Sequence, residues 1–191
     1  MVKPLTRAEV RDYLKPYAQE IGHVTLAWNS LHENLALLFW FAMGHGPMPH
    51  VIWNKLSLDR LQRDILKTIT EAGAFSSLRN GFGDDVLWLI KATDGIADAR
   101  NIAVHAPLTT LTDLASGLTT VAPQDFFGNK RARRLKGRDI IRDLEWCAEC
   151  IDMLNLFAAD LVKTMGGAPD TWPGRPSLPP QPSHSQGRTK R

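Results

Sequence analysis

Residues 20–43, with the sequence EIGHVTLAWNSLHENLALLFWFAM, decide the fold class. Apolar residues recur along this stretch in steps of three and four, which places them on one face of an α-helix. The residues of this face are Ile21, Val24, Trp28, Leu31, Leu35, Leu38 and Ala42. Glycine and proline in residues 44–49 end the periodic pattern. The sequence therefore predicts one long helix with a buried apolar stripe.

A shorter helix is predicted upstream of this stretch. Thr6 can cap its first turn, and Glu9, three residues later, completes a capping box. Pro16 lacks the amide hydrogen that a helix interior needs, so we expect it to end this helix or to bend it. The long helix is then expected to begin separately, at about residue 20.

Two further helices are predicted downstream. One covers residues 50–72, with Leu61 on its apolar face and Arg63 largely on the opposite, polar face. The other covers residues 84–105 and ends there, because Pro107 disfavours helical geometry in the residue before it.

The pattern changes after residue 107. Residues 108–111 and 118–121 are rich in leucine and threonine and flank a turn-like segment, which is typical of either a short β-hairpin or a loop. A last amphipathic helix is predicted over residues 137–165. The predicted fold class is therefore all-α: an antiparallel bundle of four to five helices, with an irregular or short β-hairpin insertion before the last helix.

Composition indicates how the chain is organised. The 191 residues carry a formal net charge of +3, and 43% are hydrophobic, which is sufficient for one domain with a buried core. That domain is predicted over residues 1–165. Residues 166–191 are dominated by proline, glycine, serine and glutamine, cannot bury a core, and are predicted to be a disordered, basic tail.

The sequence carries no signal for export or for a metal. No early apolar run resembles a signal peptide, and Leu35–Met43 is too short to span a bilayer, so we expect a cytoplasmic protein without a membrane partner. Cys147 and Cys150 have C-x-x-C spacing, but no second ligand pair accompanies them. We therefore expect core cysteines, with neither metal nor cofactor.

A compact polar group interrupts the apolar third helix at its end, where the sequence reads Arg100-Asn101-Ile102-Ala103-Val104-His105. Asn101 and His105 are four residues apart and share a helix face, which the long side chain of Arg100 can also reach. The spacing leaves two explanations open. Either His105 caps the negative end of the helix while Arg100 pairs with an acid such as Asp98, or the three side chains form a site.

The segment Asp98–Pro107, with its Arg-Asn-x-x-x-His core, resembles the signature motif of the HEPN superfamily of helical proteins. Residues 28–35, WNSLHENL, are similar to the early helix of many bacterial members. The order of helices is similar from about residue 19 to residue 162. The chain departs from the family at Ala106-Pro107, where a small, often glycine-containing step commonly follows the histidine.

The resemblance implies a metal-independent endoribonuclease, of the kind found in toxin–antitoxin and other defence systems. In such a site the RNA 2′-hydroxyl is the nucleophile, so the protein has only to move protons and stabilise charge. His105 would be the acid or base, Arg100 would hold the phosphate, and Asn101 would orient the histidine or donate to the phosphate.

The resemblance also implies a homodimer, which would bring two copies of His105 into one cleft. The expected partners are RNA or a nucleotide, a second copy of the chain, and an antitoxin protein. Two alternatives remain open. One is a HEPN-fold module that binds a nucleotide or a protein without cleavage, and the other is a structural bundle in which the motif is a capping accident.

Two weaker predictions concern residues outside the motif. The basic run Lys130–Arg138 is expected either to contact an RNA backbone or to form a solvated loop. Glu33, on the long helix, is expected either to hold Arg100 through a salt bridge or to face solvent. The candidate RNA-binding residues of the basic run are Lys130, Arg131, Arg133 and Arg134.

Overall fold

The computed structural model describes residues 4–125, 128–166 and 172–183. Within these ranges the chain forms six α-helices and one two-stranded antiparallel sheet, which confirms the prediction of a helical fold with a hairpin before the last helix. None of these helices is long and apolar enough to cross a membrane. In chain order the elements are α1 (Arg7–Ala42), α2 (Pro47–Lys55), α3 (Asp59–Glu71), α4 (Phe82–His105), β1 (Leu108–Thr112), β2 (Thr119–Pro123), α5 (Lys130–Leu135) and α6 (Ile140–Gly166).

Helix α1 joins the two helices that the sequence predicts for this region. It passes through Pro16 without interruption, so the predicted separate start at about residue 20 is wrong. The capping box is confirmed, because the amide of Thr6 donates to Glu9 Oε2 (2.7 Å) and the amide of Glu9 donates to Thr6 Oγ1 (3.3 Å). Pro16 removes one backbone hydrogen bond, but burial of the following stripe supports the helix beyond it. The fully buried residues of the stripe are Val24, Trp28, Leu31, Leu35 and Leu38.

The single helix predicted over residues 50–72 is two helices, α2 and α3. Leu56 and Leu58 have extended backbone between them, with ψ of 96° and 126°. This break resets the helical phase, so the predicted apolar stripe is not one continuous face. Leu61 is therefore exposed, whereas Arg63, predicted on the polar face, is only 4% exposed.

Of the two alternatives that the sequence leaves open for this segment, the structure has the hairpin: β1 pairs with β2 in a register that places Thr112 opposite Thr119. In its turn the amide of Gly117 donates to the carbonyl of Asp113 (2.7 Å), and the φ of Gly117 is 71°, a conformation that glycine adopts without strain. Helix α4 ends two residues before Pro107, as predicted, and β1 follows Pro107 directly. The hairpin therefore begins immediately after the Arg-Asn-x-x-x-His segment.

The described residues divide into two compact units. The first unit is drawn from residues 1–25, 98–148 and 180–191. The second unit is drawn from residues 26–97 and 149–179. Helices α1, α4 and α6 contribute residues to both units, so the single helical domain predicted over the first 165 residues stays a prediction.

The second unit contains a four-helix arrangement. Side-chain contacts join α1 to α3, α3 to α4, α4 to α6, and α6 to α1, so each of these helices contacts at least two of the others. In the same order, these contacts are the Trp28–Asp59 hydrogen bond, the Arg63–Asp94 ion pair, the edge-on Trp88–Phe157 ring contact and the Asn34–Asn155 hydrogen bond.

The first unit has a smaller core, which surrounds the end of α4. Its buried side chains come mainly from α4, α5 and α6. Cys147 belongs to this core and Cys150 to the second unit, and both side chains are buried, as predicted. The buried residues of the three helices in this unit are Ile102, Ala103, Ala132, Leu135, Ile140, Leu144, Cys147 and Ala148, together with the polar residues Arg100 and Asp143, and Ala106 directly after α4 is buried as well.

Part of the predicted tail lies within the described residues. Residues 172–183 form neither helix nor strand. Two of their side chains nevertheless bind Asp85: Trp172 Nε1 donates to Oδ2 at 2.8 Å, and Arg175 Nε donates to Oδ1 at 2.6 Å. Residues 172–179 accordingly belong to the second unit, while the prediction of disorder for 167–171 and 184–191 falls outside the described residues.

Candidate functional site

The three predicted catalytic residues lie in the last two turns of α4, within the first unit. Their exposure differs along the helix. The Arg100 side chain is buried, with 9% of its surface exposed, whereas Asn101 is half-buried and His105, the last residue of α4, is exposed. The group therefore combines a largely desolvated cation with an imidazole that a ligand can reach.

Asn101 contacts Arg100 directly. Arg100 Nη1 donates a hydrogen bond to Asn101 Oδ1 at 2.9 Å. Consecutive helix residues point about 100° apart, so the long arginine side chain has to reach around the helix to make this bond. The amide oxygen of Asn101 accepts this bond, and its amide nitrogen is the group that could donate to a phosphate.

The surroundings of His105 favour its neutral form. Although the ring reaches solvent, partial desolvation and then the positive charges of Arg100 and Arg131 hold the pKa of His105 below the usual value of 6.5. A histidine with a lowered pKa is mostly neutral at pH 7, and the neutral ring accepts a proton. The neutral, exposed ring is the form in which a histidine side chain can accept a proton from a ligand.

Residues 130–135 of the basic run form a short helix, α5, rather than the solvated loop that was one of the two expectations from the sequence. The side chain of Asn129 caps it, since Asn129 Oδ1 accepts hydrogen bonds from the amides of Arg131 (3.0 Å) and Ala132 (3.1 Å). Ala132 and Leu135 are buried and anchor one face of the helix. The four predicted RNA-binding side chains, Lys130, Arg131, Arg133 and Arg134, are all exposed.

Ion pairs distinguish these four basic residues from one another. Arg134 Nη2 lies 2.8 Å from Asp98 Oδ2, which fastens α5 to α4 two residues ahead of Arg100. Arg133 Nε lies 3.0 Å from Asp125 Oδ2. Among the described residues, no carboxylate forms an ion pair with Lys130 or Arg131. The uncompensated positive charge of α5 thus lies at its first two residues, and the charge of Arg131 acts on His105.

Glu33 was predicted as a supporting residue for Arg100. It is exposed on α1 and belongs to the second unit, whereas Arg100 belongs to the first. The Glu33–Arg100 salt bridge stays a prediction.

A buried polar cluster in the second unit was missed by sequence reasoning. Arg63 Nε lies 2.8 Å from Asp94 Oδ1, Arg63 Nη1 donates to His32 Nε2 at 3.1 Å, and the guanidinium lies 5.4 Å from the centre of the Trp28 ring. Each of these partners is separated from Arg63 by about thirty residues of sequence. No local pattern could have found the cluster, because its members meet only when α1, α3 and α4 pack together.

The hydrogen bonds of this cluster define the state of His32. Arginine can only donate, so His32 Nε2 is the acceptor and the proton of the neutral ring is on Nδ1. Nδ1 then donates to Gln62 Oε1 (3.1 Å), and Gln62 Nε2 donates in turn to the carbonyls of Trp53 and Leu56 (3.3 Å each). His32 is buried and bonded through both ring nitrogens, so the cluster orients helices and does not present a reactive group.

No group of three or more His, Cys, Asp or Glu side chains among the described residues could hold a metal ion. The buried thiol of Cys150 is a poor metal ligand in its protonated form, since desolvation and then the charge of Glu149 raise its pKa to about 11.

Comparison with known proteins adds no family assignment. No family model, no curated protein and no solved structure matches this chain. At the end of α4, the exposed imidazole of His105 lies under the influence of Arg131, which forms no ion pair with any carboxylate in the described part of the chain.

Proposed function

We propose that this protein is a HEPN-like, metal-independent endoribonuclease with its site at the C-terminal end of α4. The observation that carries the proposal is the exposed, mostly neutral imidazole of His105 under the influence of two cations, Arg100 and Arg131. Cleavage of RNA through its own 2′-hydroxyl needs these two components. One group has to accept a proton, and positive charge has to stabilise the phosphate as negative charge develops on it.

In this proposal His105 takes the proton of the 2′-hydroxyl. The 2′-oxygen attacks the adjacent phosphorus, and the bond from phosphorus to the 5′-oxygen of the next nucleotide breaks. An acid has to protonate that leaving oxygen. The products are a 2′,3′-cyclic phosphate and a 5′-hydroxyl, and no water molecule or metal ion is consumed in the step.

The cations divide into two roles. Arg131 is exposed and, among the described residues, has no carboxylate partner, so it is the guanidinium that can bind phosphate oxygens directly, with Lys130 beside it in sequence. Arg100 is buried and held by Asn101, so it acts as a fixed, poorly solvated charge next to His105. Arg133 and Arg134 are held by carboxylates and position α5 rather than the RNA.

The proposal includes a homodimer. One chain offers one such histidine, whereas the reaction needs both a base and an acid. A two-fold pairing of copies would place a second His105 opposite the first and supply the acid. The resemblance of the Arg-Asn-x-x-x-His segment also suggests the biological setting. We propose that the protein acts in the cytoplasm, as part of a toxin–antitoxin or other defence system. An antitoxin protein would then be the partner that inhibits it.

The test is cleavage of labelled single-stranded RNA in excess chelator by the wild-type protein and by His105→Ala. Removal of a general base is expected to slow cleavage about 100- to 10,000-fold. His50→Ala is the matched control, because His50 is also exposed but lies on α2 in the second unit. Equal cleavage by wild type and His105→Ala would overturn the assignment of His105.

Filter binding of the same RNA distinguishes the non-catalytic alternative. A module that only binds RNA or a nucleotide would retain the RNA on a filter without cutting it. Its affinity would fall in Arg131→Gln, which loses an exposed cation. It would change little in Arg133→Gln, whose cation is already paired with Asp125.

A further inference from the structure

Asp85, in the first turn of α4, is a buried carboxylate with an unusual pair of donors. It is 7% exposed, and burial of an ionised carboxylate is unfavourable unless donors satisfy its oxygens. Trp172 Nε1 donates to Oδ2 at 2.8 Å, and Arg175 Nε donates to Oδ1 at 2.6 Å. Both donors come from one short segment, about ninety residues away in sequence.

The same two side chains make further contacts on their ring and guanidinium faces. The guanidinium of Arg79 lies 4.2 Å from the centre of the Trp172 ring, a distance typical of a cation–π contact. Phe82 meets the Trp172 ring edge-on, with centroids 5.8 Å apart. The guanidinium of Arg175 lies 5.9 Å from the centre of the Trp88 ring. Trp172 and Arg175 therefore each contact at least two side chains of this region.

We propose that Arg79, Phe82, Asp85 and Trp88 form a peptide-binding site for a Trp-Pro-Gly-Arg segment. We name these four residues the Asp85 site. Residues 172–179 of the same chain occupy it here, and the occupant in trans is the identical segment of a second copy of the chain.

Three features of the bound segment support exchange between copies. It contains neither helix nor strand, so its release would not break an element of secondary structure. Its contacts with the Asp85 site are made by side chains, and the prolines at 173, 176 and 179 restrict the free peptide and so lower the entropy lost on binding. Two copies of one chain carry the same site and the same ligand, which is the condition for swapping a segment between protomers.

The first test is binding of a fluorescent peptide with the sequence of residues 172–179 to the full-length Trp172→Ala/Arg175→Ala variant, whose own segment can no longer fill the site. We expect saturable binding, and an apparent affinity at least tenfold weaker for the wild-type chain, whose own segment competes. Adding Asp85→Asn to the variant removes the charge that Arg175 binds, so we expect about a ten- to hundredfold weaker affinity.

The controls make the result specific. A peptide of the same composition in scrambled order should not bind, and circular dichroism should show unchanged helix content in each variant. Absence of saturable binding to the folded variant would overturn the proposal. Binding that is the same with Asp85 and with Asn at this position would overturn it as well.

The second test addresses exchange between copies. The Trp172→Ala/Arg175→Ala chain keeps the site and lacks the ligand, whereas the Asp85→Asn chain keeps the ligand and has a damaged site. A mixture of these two chains should show more association in sedimentation than either chain alone, and excess free peptide should remove the increase. The same mixture with Asp85→Asn added to the first chain should show no increase. Pairing at the proposed His105 cleft is common to all these samples, so only the increase reports on exchange. No increase, or an increase that the peptide leaves intact, would overturn exchange through the Asp85 site.

Discussion

Replacement of Arg63 by alanine is expected to destabilise the second unit strongly. Arg63 is 4% exposed, and it donates from Nη1 to the buried His32 at 3.1 Å while Nε lies 2.8 Å from Asp94. The ion pair is worth about 1.5 kcal/mol, at the low end for a charged hydrogen bond, because the Asp94 side chain is 47% exposed and solvent screens it. Loss of the arginine donor to the buried His32 ring adds about 1–3 kcal/mol. We expect a total loss of about 3 kcal/mol.

The assay is urea unfolding followed by far-ultraviolet circular dichroism, with the free energy of unfolding taken at unchanged slope. Arg60→Ala is the matched control, since Arg60 lies one turn earlier on α3, is 83% exposed and approaches Asp64 only to 3.6 Å. Its replacement is expected to change the free energy of unfolding by less than about 0.5 kcal/mol. A loss below about 1 kcal/mol for Arg63→Ala, or equal losses for both variants, would refute the assignment of a buried stabilising cluster.

Three further predictions concern the candidate site and the core. With one His105 as base and a second as acid, kcat/KM should peak near their lowered pKa, below pH 6.5. Arg131→Gln removes one of the charges that lower this pKa, so it should move the peak to higher pH. A peak that stays in place would contradict the influence of Arg131 on His105. Asn129→Ala removes both capping hydrogen bonds of α5, so it should lower the free energy of unfolding, measured by urea unfolding, by about 1 kcal/mol. No change would mean that α5 does not need its cap. Cys147 and Cys150 should react with a thiol reagent at pH 8 only as fast as the protein unfolds, because both are buried and the pKa of Cys150 is about 11. Rapid reaction of the native protein would disprove their burial.

Local patterns in the sequence predict much of the fold. The apolar stripe of α1 can be predicted because its residues recur at helical spacing over several turns, so a few exceptions do not obscure the periodicity. The end of α4 follows from the backbone restriction before Pro107. The leucine- and threonine-rich segments around Gly117 are compatible with a hairpin or a loop, and the structure shows the hairpin. These features depend on short-range chemistry, and the structure confirms them.

The features that the sequence does not predict depend on competition between local and distant effects. Pro16 opposes a helix locally, yet α1 continues because the buried stripe beyond it outweighs one lost hydrogen bond. Arg63 was assigned to a polar face because arginine is usually exposed, and its burial requires His32 and Asp94 from other helices. The contact between Arg175 and Asp85 joins positions 90 residues apart, beyond any periodic signal.

Only those parts of the candidate site that lie close together in sequence could be predicted. The Arg100–His105 spacing could be read from the sequence because both residues lie on one helix. The influence of Arg131 on His105 could not, since it depends on the fold of the segment between α4 and α5. The bond between Arg100 and Asn101 was also not anticipated, because consecutive helix residues do not usually face each other.

The most direct measurement of the central claim is the chemical identity of the ends that the wild-type protein leaves on a defined single-stranded RNA in excess chelator. Mass spectrometry of the fragments distinguishes the two outcomes. Attack by the 2′-hydroxyl, with His105 as the base, is expected to leave a 2′,3′-cyclic phosphate and a 5′-hydroxyl. Fragments with a 3′-hydroxyl and a 5′-phosphate would require attack by water and would contradict the proposed role of His105.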